Sequence, residues 1–296
     1  MPGVPSVFVK LFTRSALTDP EDGRTLIRLI SEHVPYWMPY RYGWSEPLRN
    51  VYDPDLFGEF WQNLQLELDW RNEKRTATGY ATTRVNPYST LSEIELAGQQ
   101  NRALDLAALA GLVQACAEPL DLTYAVLHLF HPDDLNRGRG GLFAEVQGTP
   151  VLAVSERGLR ECLPDVAWGN VFGPPYTELF GGADRVRTAP AALVRELGPD
   201  RFYLQLTGDI RDVQDNRAAL TAARDAVKQH LGPDCFSGYR GRLRAPRLPT
   251  AAEDGLWSPP TGMDVPDDLQ HMLDKAVRDG KTLPPPLVQS VRKGKQ

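Results

Sequence analysis

Hydrophobic residues change their period several times along this chain, and each change predicts an element. "LQLELDW" alternates strictly, with Leu64, Leu66, Leu68 and Trp70 on one face and Gln65, Glu67 and Asp69 on the other, the period-two signature of a half-buried strand. "TATGYATTRV" and "LSEIELAG" read as its antiparallel neighbours, and the apolar run from Val7 to Phe12 suits a buried strand. Proline punctuates the helices. Asp19-Pro20 supplies an N-cap and a first-turn proline ahead of Leu26, Ile27, Ile30 and Val34 at helical spacing, and this helix stops before Pro35. After a strand through "YRYGW", Asp53-Pro54 repeats the start for a helix carrying Leu56, Phe57, Phe60 and Trp61. An alanine- and leucine-rich helix near Leu104 to Ala117 leads into the strand "LTYAVLHLF".

The second half reads as a strand "TPVLAV", a short helix capped by Ser155, and a strand through Val166 to Phe172. A short helix then opens at Pro174-Pro175 and stops at Gly181. "RFYLQLTGD" reads as a strand, and one long helix from about Asp212 to Leu231 places Leu220, Ala223, Val227 and Leu231 on one stripe before Gly232-Pro233 ends it. Strands and helices mix without regular alternation, which predicts an α+β fold of largely antiparallel mixed sheets with packed helices. "VPYWMPYRYGWSEP" in the first half echoes "LPDVAWGNVFGPP" in the second, equally consistent with two related lobes and with chance recurrence of turn residues. The expected organisation is an N-terminal lobe over 1–148, a C-terminal lobe over 149–242, and a tail over 243–296. Eight of the 25 prolines fall at or after position 243, and within that tail Leu269, Met272, Leu273, Ala276 and Val277 form the stripe of one amphipathic helix.

Composition narrows the function classes. The chain has 296 residues, 42% of them hydrophobic, a net charge of -5 and a pI near 5.6. No apolar run approaches the ~20 residues of a spanning helix, and "MPGVPSVFVKLFTRS" lacks the basic start and cleavage pattern of a signal peptide, so a cytoplasmic protein without membrane contact is expected. The acidic balance argues against a general nucleic-acid binder, which carries a basic stripe to displace counterions. Cys116, Cys162 and Cys235 stand far apart, as for reduced thiols without metal-ligand spacing.

"HLFHPDD" is the strongest enzymatic cluster, since His128, His131, Asp133 and Asp134 are all metal-ligating or acid/base types, and it defines the alternative of a metal-dependent hydrolase. On a strand running through Phe130, however, His128 and His131 point to opposite faces, and Pro-Asp-Asp reads as a turn. "GDIRDVQDN" sets Asp209, Asp212 and Asp215 at a strand-to-helix junction, where carboxylates suit a helix start as well as a divalent ion. "RGRGG", Arg137 to Gly141, lacks the P-loop lysine, and neither Ser155 nor Ser237 has the preceding glycine of a nucleophile elbow. The balance is a non-enzymatic protein with no catalytic, cofactor or metal residues. Asp133, Asp134, Asp209 and Asp212 are the expected partner-binding residues, placed at loops or helix starts where side chains reach a partner.

"WGNVFGPPYTELFGG", Trp168 to Gly182, is the most distinctive stretch. Two prolines remove the amide donors a phosphate cradle needs, so the segment reads as a packed corner in which Trp168, Phe172, Tyr176 and Phe180 cluster. Together with "TAPAALVRELGPDRFYLQLTGDIRD" and "VKQHLGPDCF", it resembles the C-terminal half of bacterial polymorphic-toxin immunity proteins of the type-52 group and its relatives, over roughly residues 150–236. "RYGWSEPL" is similar but less telling, and the proline-rich tail lies outside the resemblance. The resemblance implies a non-enzymatic antidote that forms a stoichiometric complex with a cognate toxin of nuclease type.

Overall fold

The computed structural model describes residues 6–43, 47–54, 57, 61, 67–84, 88–100, 104–135 and 141–256. The first half supplies strands β1 (Val7–Thr13), β2 (Arg41–Gly43), β3 (Asn50–Val51), β4 (Glu67–Arg71), β5 (Ala77–Thr82), β6 (Ser92–Gly98) and β7 (Leu122–Leu129), with helices α1 (Pro20–His33) and α2 (Leu106–Cys116). The second half adds strands β8 (Phe143–Val146), β9 (Thr149–Leu152), β10 (Gly169–Phe172), β11 (Leu193–Gly198) and β12 (Arg201–Gln205). Its helices are α3 (Glu156–Leu159), α4 (Pro174–Phe180), α5 (Ala183–Arg187), α6 (Asp212–Asp215) and α7 (Arg217–Leu231). Ten strands form one antiparallel sheet in the order β11-β12-β10-β7-β1-β6-β5-β4-β2-β3, and β8 and β9 pair as a separate hairpin. The expected α+β class with antiparallel sheets is therefore the observed one.

Local chemistry explains the elements. The Asp19 carboxylate accepts from the Glu21 amide ahead of Pro20, and α1 buries Leu26, Ile27, Leu29 and Ile30. Leu68 and Trp70 are buried on β4 as the alternation predicts; Leu64 and Leu66 lie outside the described residues. One sheet face carries Phe8, Phe12, Tyr124, His128 and Phe172, and it meets Phe143 of the hairpin and Tyr176 of α4. On the sheet, α2 packs against β7 and β10, and α1 packs on α2. A Cβ on Gly98 would sit 2.6 Å from the Trp37 ring.

Three expectations change. The helix expected over 212–231 breaks at Asn216, whose φ of -137° and ψ of 58° leave the helical region, so α6 and α7 are separate. The division at 148/149 falls in the β8–β9 turn, and β10 of the second half pairs with β7, and β12 with β10, in the same sheet as the first half. Residues 1–256 form one compact unit. The expected tail start at 243 is also early, because Ala251 is fully buried and donates its amide to Ser89 O. Asp254 pairs with the buried Arg84 and with Arg14. The expected amphipathic helix at Leu269–Val277 lies outside the described residues.

Candidate functional site

The distinctive corner forms largely as its residues dictate. Pro174-Pro175 open α4, and Gly181 closes it at φ 100°, a conformation that favours glycine. Gly173 is fixed by a close approach, since a Cβ there would lie 2.7 Å from Leu122 O and 2.9 Å from Thr123 O. Phe172 and Phe180 meet edge-to-face at 5.1 Å, while Tyr124 contacts both Phe172 and Tyr176, and Phe236 stacks on Phe180. Trp168 departs from the expected cluster. Its indole N–H donates to the Thr207 hydroxyl at 3.0 Å, and the residue lines a cleft instead.

The backbone amide of Trp168 connects the corner to a buried charge network. It donates to His128 Nδ1 at 2.9 Å, which leaves Nε2 as the protonated nitrogen facing Asp134 Oδ2 at 3.1 Å. Asp134 also receives Arg217 through both terminal nitrogens and Arg224 Nη1 at 2.9 Å, while Arg224 Nε donates to Val166 O at 2.8 Å. Asp165 adds contacts to Arg224 and Lys228. Burial alone would raise the Asp134 carboxyl, but hydrogen bonds from His128 and Arg217 and the nearby cations hold it well below the usual range. Burial lowers His128, outweighing the Asp134 carboxylate, so this imidazole is neutral.

This geometry corrects the expectation that Asp134 reaches a partner: it is 4% exposed and fully engaged by two arginines and a histidine. The metal-hydrolase quartet also separates. His131 and Asp133 sit together outside the strand, with their side chains 24% and 66% exposed, whereas His128 is enclosed. Among the described residues no three histidine, cysteine or acidic side chains are grouped to hold a metal ion. Sequence offered one unread signal for the network, because Arg224 falls on the Leu220–Val227–Leu231 stripe and a buried arginine requires an acid.

The other expected acids remain accessible. Asp209 chelates Arg211, whose hydrogen bonds lower its carboxyl from the ordinary range. Asp212 stands in the first turn of α6, its amide bonded to Asp209 O at 3.1 Å. Gln214 of the same helix donates to Phe130 O, which brings α6 to the end of β7 from which Asp133 follows. Asp209 and Arg211 line a cleft of about 960 Å³ between α2 and the segment after β12. Leu104, Ala107 and Ile210 supply apolar wall, with Asp105, Gln114 and Gln205 among its polar groups. Among the described residues, no helix is long and apolar enough to cross a membrane.

No family model matches the chain, so the resemblance to type-52 immunity proteins rests on the quoted motifs. No curated protein matches it either. Among solved structures, the chain is similar to a T6SS protein of Pseudomonas aeruginosa at 13% identity, with a TM-score of 0.49, covering 96% of this chain and 88% of that one. At that identity and score the likeness assigns no function.

Proposed function

We propose that this protein is a cytoplasmic antidote that binds a cognate toxin, of nuclease type as the motif resemblance implies, and neutralises it by stoichiometric complex formation without catalysis. The cleft of about 960 Å³ carries this reading. It combines apolar wall with the exposed Asp105 and the half-buried Asp209, which is paired with Arg211, and Asp212 and Asp133 extend the acidic rim toward the end of β7. A basic nucleic-acid-binding surface is the chemistry such a rim complements, and charge of this kind chiefly speeds encounter. A stable complex buries roughly 1,200 to 2,000 Å² in total, so the cleft is its centre and not its whole extent.

The test is co-expression with the toxin encoded beside the gene in a sensitive host, alongside a pull-down of the two purified proteins. Rescue and a defined complex are expected. Ala107→Arg should weaken both while leaving the fold intact, because Ala107 is exposed at the cleft wall and arginine is a good helix former. Rescue without association would overturn the binding mechanism in favour of an enzyme acting on the toxin's product. Absence of both rescue and association would remove the antidote reading itself.

A further inference from the structure

The negative balance of the chain conceals one basic segment. Between positions 235 and 252 the sequence holds four arginines, Arg240, Arg242, Arg244 and Arg247, and no acid or lysine. Four basic residues within eight read as a polyanion contact where their charges are exposed and free. The fold engages them unequally. Arg244 Nε and Nη2 lie 2.7 Å and 3.0 Å from the Asp234 carboxylate, and its Nη1 donates to Leu179 O at 2.9 Å, which pins the segment to the end of α4. Arg247 lines a hollow with Glu178 and Asp200 and acts on Glu253 through its field. Arg240 and Arg242 are exposed and, among the described residues, make no hydrogen bond or ion pair.

The loop that carries these two cations is anchored at both ends. Ser237 donates its amide to Leu163 O at 2.7 Å and its hydroxyl to Pro164 O, and Arg244 closes the other end on Asp234. Between the anchors the Tyr239 ring lies against Gly241, where a Cβ would sit 2.5 Å from it. Any larger residue at 241 would drive the ring away. Tyr239 is nonetheless 46% exposed. A half-open aromatic ring is thus held in a fixed place, with an unpaired guanidinium on the residue after it and another on the residue after the glycine it covers.

This combination selects the partner. The flat guanidinium fork matches phosphate oxygens with two parallel hydrogen bonds, and the ring offers a base a stacking platform that an acidic protein surface does not use. In a duplex the bases already stack on one another, so the platform suits a single strand. We propose that the loop 237–242 is a contact site for single-stranded nucleic acid, with Arg240 and Arg242 on backbone phosphates and Tyr239 stacked on a base. It shares no lining residue with the cleft, so it stands whether or not the cleft takes a toxin. Two free cations on an acidic protein give weak binding governed by salt. At roughly 0.7 counterions per phosphate contacted on a single strand, log K falls against log salt with a slope of about -1.4, about a sevenfold loss from about 50 to 200 mM.

Fluorescence anisotropy of a labelled oligothymidine of about 12 nucleotides, titrated with the full chain, tests the site, with oligouridine of equal length as the RNA counterpart. Saturable binding at low salt is expected, with the slope just given. The double variant Arg240→Gln, Arg242→Gln should weaken binding and bring the salt slope close to zero. Tyr239→Ala should weaken it at least about fivefold, the low end of base–aromatic stacking, and leave the slope unchanged. Each variant replaces exposed side chains, so the parent's melting temperature is retained. Absent saturation at low salt, or binding left unchanged by either variant, overturns the proposal. Poly-L-glutamate that competes as well as oligothymidine at equal charge also overturns it and assigns the loop to an acidic protein surface. Tighter oligouridine binding assigns the strand to RNA and tighter oligothymidine binding to DNA, and either supports the site.

Discussion

Two clusters of buried charge share one face of the sheet and differ in how their charges close. Around Asp134, one carboxylate faces two guanidinium groups, and a neutral imidazole completes its hydrogen bonds. Around Lys10, one ammonium faces two carboxylates, Glu93 and Glu95, and the Tyr80 hydroxyl. The first arrangement joins β7, the Pro132–Asp134 turn, the corner and α7, so its charges hold chain segments together. The second ties β1 to β6 and β5, and Glu93 also accepts from the Glu156 amide. Two guanidinium groups converge on one carboxylate in the first cluster and two carboxylates share one ammonium in the second, so losing the shared group strands charges of opposite sign in the two places.

The largest effect expected is at Asp134. Asp134→Asn keeps the shape but leaves Arg217 and Arg224 without their shared carboxylate, and breaking a buried pair in this way typically costs about 3 to 5 kcal/mol. Denaturant unfolding at neutral pH measures it. A loss below about 1 kcal/mol, the range of exposed pairs, would show that the network does not brace the fold.

Lys10→Met comes next. Methionine fills the space of the lysine stem, but Glu93 and Glu95 lose the ammonium they share, at a cost of roughly 1 to 3 kcal/mol at neutral pH. The raised Glu95 carboxyl fixes the sign of the pH dependence. Its folded form binds a proton more readily than the ordinary value of 4.5, so acidification toward that value relieves the variant. A deficit constant between pH 7 and about 5 would place the cost in packing and not in charge.

How far sequence revealed these clusters depends on the distance between their parts. β1, α1 with its Asp19 cap, and α4 with its Pro174-Pro175 start and Gly181 stop are local features, and each forms as its residues predict. "LVRELG" hid β11 because an edge strand with half-buried and exposed positions has no clean alternation. Unity of the sheet was illegible for a different reason, since it rests on β7 pairing with β10 across an intervening hairpin and helix. Lys10 inside "VFVKLF" was visible as a charge in an apolar run, but its meaning required the register of β1, β6 and β5. The cleft likewise joins residues near 105 to residues near 209.

His128 offers a smaller, opposite pH effect. Burial lowers its pKa below the ordinary 6.5, so the unfolded chain takes up the proton first as pH falls. Stability from the neutral imidazole is full above 6.5 and is lost as pH drops below that value toward the folded pKa, with a slope of at most about 1.4 kcal/mol per pH unit for one proton. His128→Gln should flatten the stability profile below pH 6.5, and an unchanged slope would exclude this residue as its source. Acid thus weakens the Asp134 cluster through His128 while relieving the Lys10→Met variant through Glu95.

The smallest stability change is expected at Glu95, and it bears most directly on the contrast. Glu95→Gln is the same chemical change as Asp134→Asn, a carboxylate made an amide on the same face of the sheet. At Glu95 the loss of the Lys10 contact is offset by removal of a surplus buried charge, and Lys10 keeps Glu93 at 2.9 Å. The amide oxygen still accepts from the Tyr80 hydroxyl. Stability should stay within about 1 kcal/mol of the parent. Paired urea titrations of the two amide variants decide the issue. If Glu95→Gln costs as much as Asp134→Asn, the Lys10 cluster braces the sheet as the Asp134 network does, and the second carboxylate on Lys10 is no surplus.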